Sequence, residues 1–293
     1  MNAGARAATA GLLALPAHDL DDEVTVRLEA RLEAGIADAV AGLTSGGAIE
    51  VGLAMLRWAR YQPERLGLPD EPFTWKPAFV RRSLGLELVR VCAERTFPGP
   101  AAAVESVADR AVDEWRRTGC RTFHWEPWLA GLGTGARAVV LADAVTWATP
   151  VWATFDWPSL VGSAVLGGPY DRWSGPESVV LRGRSEARIG LPTGRPTLLS
   201  VASGGPGDGW RSEMAFMALV AVLAAPGRPA PARVVGLWPD AGYRLAVEID
   251  EAALFDAVDC VIDAVAVTAE VRASHPGTDV ADVCKGAAVA DVA

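Results

Sequence analysis

The chain is poor in lysine, histidine and cysteine, and it has no apolar run long enough to span a bilayer. Lysine occurs only at Lys76 and Lys285, so arginine supplies nearly all of the 27 basic side chains, against 36 acidic ones, for a net charge of −9. Coating nucleic acid requires a basic surplus that displaces counterions from phosphates; this balance argues against such a role and leaves a local arginine patch as the route to DNA. The four cysteines, Cys92, Cys120, Cys260 and Cys284, form no C-x-x-C pair and have no nearby histidine, which excludes a recognisable zinc motif. His18, His124 and His275 are too widely spaced to suggest a metal site. Scattered, unpaired thiols read as reduced side chains of a cytoplasmic protein. The longest apolar run, Met214 to Ala225, falls well short of the ~20 residues that cross a bilayer. The apolar "ARAATAGLLALPA" carries one arginine and runs straight into "HDLDDE", which does not suit a secretory signal. No G-x-S-x-G marks a nucleophilic serine. "SGGPGDG", Ser203 to Gly209, lacks the Lys and Ser/Thr of a P-loop and reads as a strand-to-helix connection.

What is present is a globular composition. Of 293 residues, 51% are hydrophobic and 22% charged, enough to bury one large core or two smaller ones. "DDEVTVRLEARLEAGIADAVAG" opens on three acids suited to a helix N-terminus and places Val24, Leu28, Leu32 and Ile36 on one face. "AIEVGLAMLRWAR" is expected as a second helix after the Gly46–Gly47 break. Tyr61 to Pro77 contains four prolines, so an ordered loop and a subdomain boundary are expected there. Further helices follow at "AFVRRSLGLELVRVCAERTF" and "PAAAVESVADRAVDEWRRTG". Another runs from "GARAVV" to "FDWPSL", with a bend or break expected at Pro150.

From about Glu177 the pattern turns to strands. "SVVLRGRSEARIG" and "TLLSVAS" are joined by the turn "GLPTGRP"; then come the helix "GWRSEMAFMALVAVLAA", the strands "ARVVGLWPD" and "YRLAVEID", and a long final helix. The order is several helices, then β, β, α, β, β, α.

At "GRSE" and "SVASG" the second half resembles the PD-(D/E)XK nuclease superfamily in its RecB-family exonuclease branch. That branch reads G-R-hydrophobic-D on one strand and D-hydrophobic-K-[ST]-G on the returning strand, followed by a helix, a strand ending near "DxG" and a long helix. Gly183, Arg184, Ser185 and Glu186 stand over the first pattern, and Ser200, Val201, Ala202, Ser203 and Gly204 over the second. The resemblance covers about Glu177 to Cys284, with a weaker echo at "RRSLGLELVRVC", where the family has an early helix beginning L-G-x-x-hydrophobic-H. It implies an α/β fold with a mixed central sheet flanked by helices, in residues 161–293. Residues 1–160 are then a helical region packed on that core.

In that family two acids on adjacent strands hold Mg²⁺, which polarises the phosphoryl group and activates water, while the lysine steadies developing charge. Glu186 matches the first acid, but Ser200 replaces the second acid and Ala202 the lysine. Leu88 or Glu87 stands in the region of the early histidine. Cys284 alone remains of the cysteine tail that holds an iron–sulfur centre in some relatives, so no cluster is expected.

Glu186 is therefore either a metal ligand or a strand carboxylate paired with Arg184 or Arg188. Relocated chemistry would use Glu213 as the second acid, with Mg²⁺ between it and Glu186 and with Arg211 as a fixed cation in place of lysine. The bland reading of Glu213 is an acid in a helix first turn. Trp115, Trp125, Trp128, Trp147, Trp152 and Trp157 read as helix-packing residues, with base stacking the sharper alternative. Arg81/Arg82, Arg116/Arg117 and Arg182/Arg184 are the candidate DNA patch, or else solvated faces. The leading expectation is a nuclease-like protein without hydrolysis that acts as a nucleic-acid-binding or scaffold component in DNA repair or processing. Two alternatives stand beside it: an active Mg²⁺-dependent phosphodiester hydrolase, and a protein-interaction domain that touches no nucleic acid. No membrane partner is expected.

Overall fold

The computed structural model describes residues 3–14, 20–21, 23–41, 48–68, 74–121, 124–161, 164–165, 171–190 and 194–274. His18, His275, Cys284, the Gly46–Gly47 break and Leu191, Pro192 and Thr193 at the centre of the hairpin turn lie outside them.

The helical half comprises α1 (Ala3–Leu13), α2 (Val24–Val40), α3 (Leu53–Tyr61), α4 (Pro77–Glu94), α5 (Pro100–Thr118), α6 (Glu126–Ala130), α7 (Thr134–Thr154) and α8 (Trp157–Leu160). On α2 an apolar residue every fourth position, from Val24 to Val40, gives one buried stripe. Pro100 begins α5, where its missing N–H costs nothing, and Gly119 closes it in the left-handed region at φ 74°.

Two departures from the sequence expectation stand out here. Ile49–Val51 is a short strand, β1, rather than the start of a helix; its β-branched residues pair in parallel with Val179–Leu181, and extended Gly52 separates it from α3. Helix α7 is not broken at Pro150, because Trp147, Ala148 and Val151 anchor its last turns in the core. The segment after Tyr61 contains a 3-10 turn at Pro63–Gly67 before residues that are not described.

Strands follow as β2 (Ala164–Val165), β3 (Asp171–Ser174), β4 (Val179–Gly183), β5 (Ala187–Ile189), β6 (Thr197–Val201), β7 (Arg233–Trp238) and β8 (Tyr243–Glu248), with α9 (Trp210–Leu223) between β6 and β7 and α10 (Glu251–Ser274) last. "SVVLRGRSEARIG" is thus two strands in two sheets. β4 is the middle of the sheet β1-β4-β3, and β5 belongs to the sheet β2-β5-β6-β7-β8. The chain leaves one sheet for the other at Arg184, Ser185 and Glu186, where charge interrupts the apolar run. In the larger sheet β5 and β6 are antiparallel, β6 and β7 parallel through the α9 crossover, and β8 returns antiparallel.

Alternating side chains of β6 and β7 enter two separate cores. Leu198, Val234 and Trp238 face α2, α9 and α10; Leu199, Val201, Val235 and Leu237 face α4, α5 and α7. The result is a mixed α/β protein with helices on both faces of the sheet. The helical half contributes to both layers, α2 and α3 to one and α4 to α8 to the other. Helix α9 is apolar on every side because it lies between sheet and helices along nearly its whole length. No helix among the described residues is long and apolar enough to cross a membrane.

Candidate functional site

The hairpin residues are brought together through backbone pairing. The N–H of Glu186 donates to the Leu199 carbonyl at 2.8 Å, and the Glu186 carboxylate accepts the Val201 N–H at 2.9 Å. Glu186 therefore brackets Ser200, and both side chains are buried. The carboxylate replaces a ladder bond just before β5 begins, which satisfies an amide that would otherwise be stranded in the core. Ala202 packs against the first core, and its N–H donates to Leu237 at 2.9 Å.

The charges around Glu186 come from arginine. Burial pushes its carboxyl above the ordinary value of 4.5, while Arg184, the Val201 N–H and Arg82 of α4 pull the other way. Arg184 also acts on Glu87, a second buried acid on α4. The Glu87 carboxylate accepts bonds from Arg90 at 3.0 and 3.1 Å, and burial likewise raises its pKa, against Arg90, Arg184 and Arg110. Helix α4 thus carries a buried acid tied to arginines. An acid within the apolar run "LGLELVRV" is itself the signal of a buried, paired carboxylate.

Glu213 has different partners. Arg57 of α3 grips both its oxygens, Nε to Oε1 at 2.8 Å and Nη2 to Oε2 at 2.7 Å, and nothing described links it to Glu186. Its helix packs on the first core, whereas Arg82 and Glu87 belong to the helix on the opposite face of the sheet. Arg211 is exposed and lies over the Trp210 ring at 4.8 Å.

Hard Mg²⁺ takes carboxylate oxygens in an octahedral shell. The hairpin presents a single carboxylate, already bonded to an amide and faced by two arginines, beside a neutral hydroxyl and an alanine. This donor set does not fit a divalent cation. Among the described residues, no group of three or more His, Cys, Asp or Glu side chains could hold a metal ion.

Much of the arginine patch is engaged by acids. Arg81 faces Asp240 at 3.9 Å, Arg116 faces Asp113 at 3.6 Å, Arg117 pairs with Glu114, and Arg182 pairs with Glu50 at 2.7 Å. Arg188 pairs with Asp171, not with Glu186. Of the tryptophans, Trp125, Trp147 and Trp157 are buried in the second core, with Trp125 donating to the Ser83 hydroxyl at 2.9 Å. No family model matches the chain, and no curated protein matches it.

Proposed function

We propose that the chain is a PD-(D/E)XK-like protein of RecB-family descent that has given up phosphodiester hydrolysis and acts as a nucleic-acid-binding or scaffold component in DNA repair or processing. The observation carrying this reading is the hairpin itself: Glu186 stands beside Ser200 as the family's two acids would, yet its carboxylate closes the sheet ladder at Val201 and is flanked by arginines. The connectivity is consistent with the same descent, since an antiparallel hairpin is followed by a crossover helix, a parallel strand and a long terminal helix.

In place of a metal site with two acids and a lysine, this chain has an internal charge cluster of Glu186, Arg184, Glu87 and Arg90 that ties α4 to the sheet. Such a cluster stabilises one arrangement of the layers and generates no nucleophile. The test has two arms. Incubation with single- and double-stranded DNA in Mg²⁺ or Mn²⁺ is expected to give no cleavage; metal-dependent cleavage lost in Glu186→Ala overturns the reading. Separately, DNA retention at low salt distinguishes the binding role from the scaffold role, which the net charge of −9 favours.

A further inference from the structure

We propose that a groove at the carboxyl end of the β6–α9–β7 crossover binds a nucleobase, presented by a free nucleotide or by the end of a single strand. Ligands of open α/β sheets settle outside the carboxyl ends of parallel strands, where loops diverge. Here the loop after β6 contributes Ser203, Gly205 and Gly207, and Trp238 is the last residue of β7. Helix α3 closes the other wall with Trp58 and Tyr61, followed by its C-cap residue Gln62. The half-open groove holds about 340 Å³, within the range of small-molecule sites and large enough for a base with its sugar.

The chemistry of the lining is that of a flat, polar ring. Tyr61, exposed, and Trp58, half-buried, offer aromatic surface to the π-face of a base, while Trp238 is buried and backs the wall. The Gln62 amide and the Ser203 hydroxyl are engaged by no protein group among the described residues, and each can both donate and accept, as a base edge requires. The floor is the Arg57–Glu213 fork, a neutralised pair. An adjoining cavity, about 480 Å³, shares Arg57, Tyr61 and Glu213 with the groove and carries Asp256 and Asp263, with Asp259 paired to Arg31, acids that disfavour phosphate. The ring, not the phosphate, is therefore what the groove recognises.

The approach of α3 is built into the sequence at Gly209. Any side chain there would press on the Tyr61 hydroxyl, 2.9 Å from the position of a Cβ, and on the Arg60 guanidinium at 3.3 Å. Arg60 in turn lies over the Tyr61 ring at 5.5 Å, which holds the tyrosine at the cavity's rim.

Titration calorimetry with adenosine, adenosine 5′-monophosphate, inorganic phosphate and a short single-stranded oligodeoxyadenylate tests this, in the absence of divalent metal. Adenosine and its monophosphate are expected to bind alike and inorganic phosphate not at all. Trp58→Ala should weaken binding about tenfold or more by removing a stacking surface. Gly207→Leu, whose added side chain meets no atom within 4 Å at its Cβ, should obstruct the groove while leaving the fold intact. Binding of the oligonucleotide alone, with the same loss in both variants, supports a strand end as the source of the base. Failure of all four probes to bind, displacement by inorganic phosphate, or binding that survives both substitutions overturns the proposal.

Discussion

Glu186 is held by a backbone amide in a site that resists its ionisation, and this has a pH signature. Burial lifts its folded pKa above the ordinary 4.5, so between those two values the folded state binds the proton more tightly than the unfolded state does. Its contribution to stability is therefore largest in acid and declines as pH rises from 4.5 through the raised value. Glu186→Gln keeps an oxygen for the Val201 N–H and cannot ionise. Thermal melts from pH 4 to 8 should show the variant equal to wild type in acid and more stable at neutral pH, with Glu87 adding a slope of the same sign to both proteins. A variant less stable throughout would contradict the assignment. Cysteines give a second check: burial pushes the Cys92 thiol up to about 12, whereas Cys120 is exposed. Iodoacetamide at pH 8 should label Cys120 and spare Cys92 in the native protein, as read by mass spectrometry. Glu186 was legible as a special residue from "GRSE" alone. That Arg184 would stand between two buried acids was not, because Glu87 lies about a hundred positions away along the chain and only the packing of α4 on the sheet brings them near.

Elements were legible where periodicity was strong and obscure where pairing was remote. The stripe on α2, the caps of α5 and the apolar run of α9 from Met214 onward follow from spacing and composition. Strand β1 does not, since three residues acquire strand geometry only by pairing with β4, some 130 positions later. The division of "SVVLRGRSEARIG" between two sheets is likewise set by partners on either side. Packing between helices can be tested at Gly85 of α4, where an added Cβ would run into the Trp147 ring of α7. Gly85→Ala should cost about 1–3 kcal/mol through forced displacement of the indole, measured by the denaturant midpoint. Gly135 of α7 has open space at the same position, so Gly135→Ala should instead stabilise by roughly 0.5–1 kcal/mol through helix propensity. Equal effects at the two sites would show that the α4–α7 contact is not the close approach described.

At the scale of the molecule, the sheet separates two environments that the resembled nuclease chemistry would need to join. The Arg57–Glu213 fork, the nucleobase groove and the acidic α10 cavity lie on the α9 side; Arg82, Arg90 and Glu87 come from the α4 side, and Glu186 sits at the edge between them. The mixed α/β class was legible from the order of elements, and so were the serine and alanine at positions 200 and 202. The surroundings of Glu186 were not, because they depend on which charges the second helical layer brings to it. The central proposal is that this arrangement does not hydrolyse DNA, and one measurement addresses it directly. Purified protein is incubated with single- and double-stranded DNA in Mg²⁺ and in Mn²⁺, beside Glu186→Ala and Glu213→Ala. The account predicts intact substrate in every lane. Metal-dependent cleavage by the wild type that disappears in Glu186→Ala would contradict it, and its further loss in Glu213→Ala would assign the second ligand to α9.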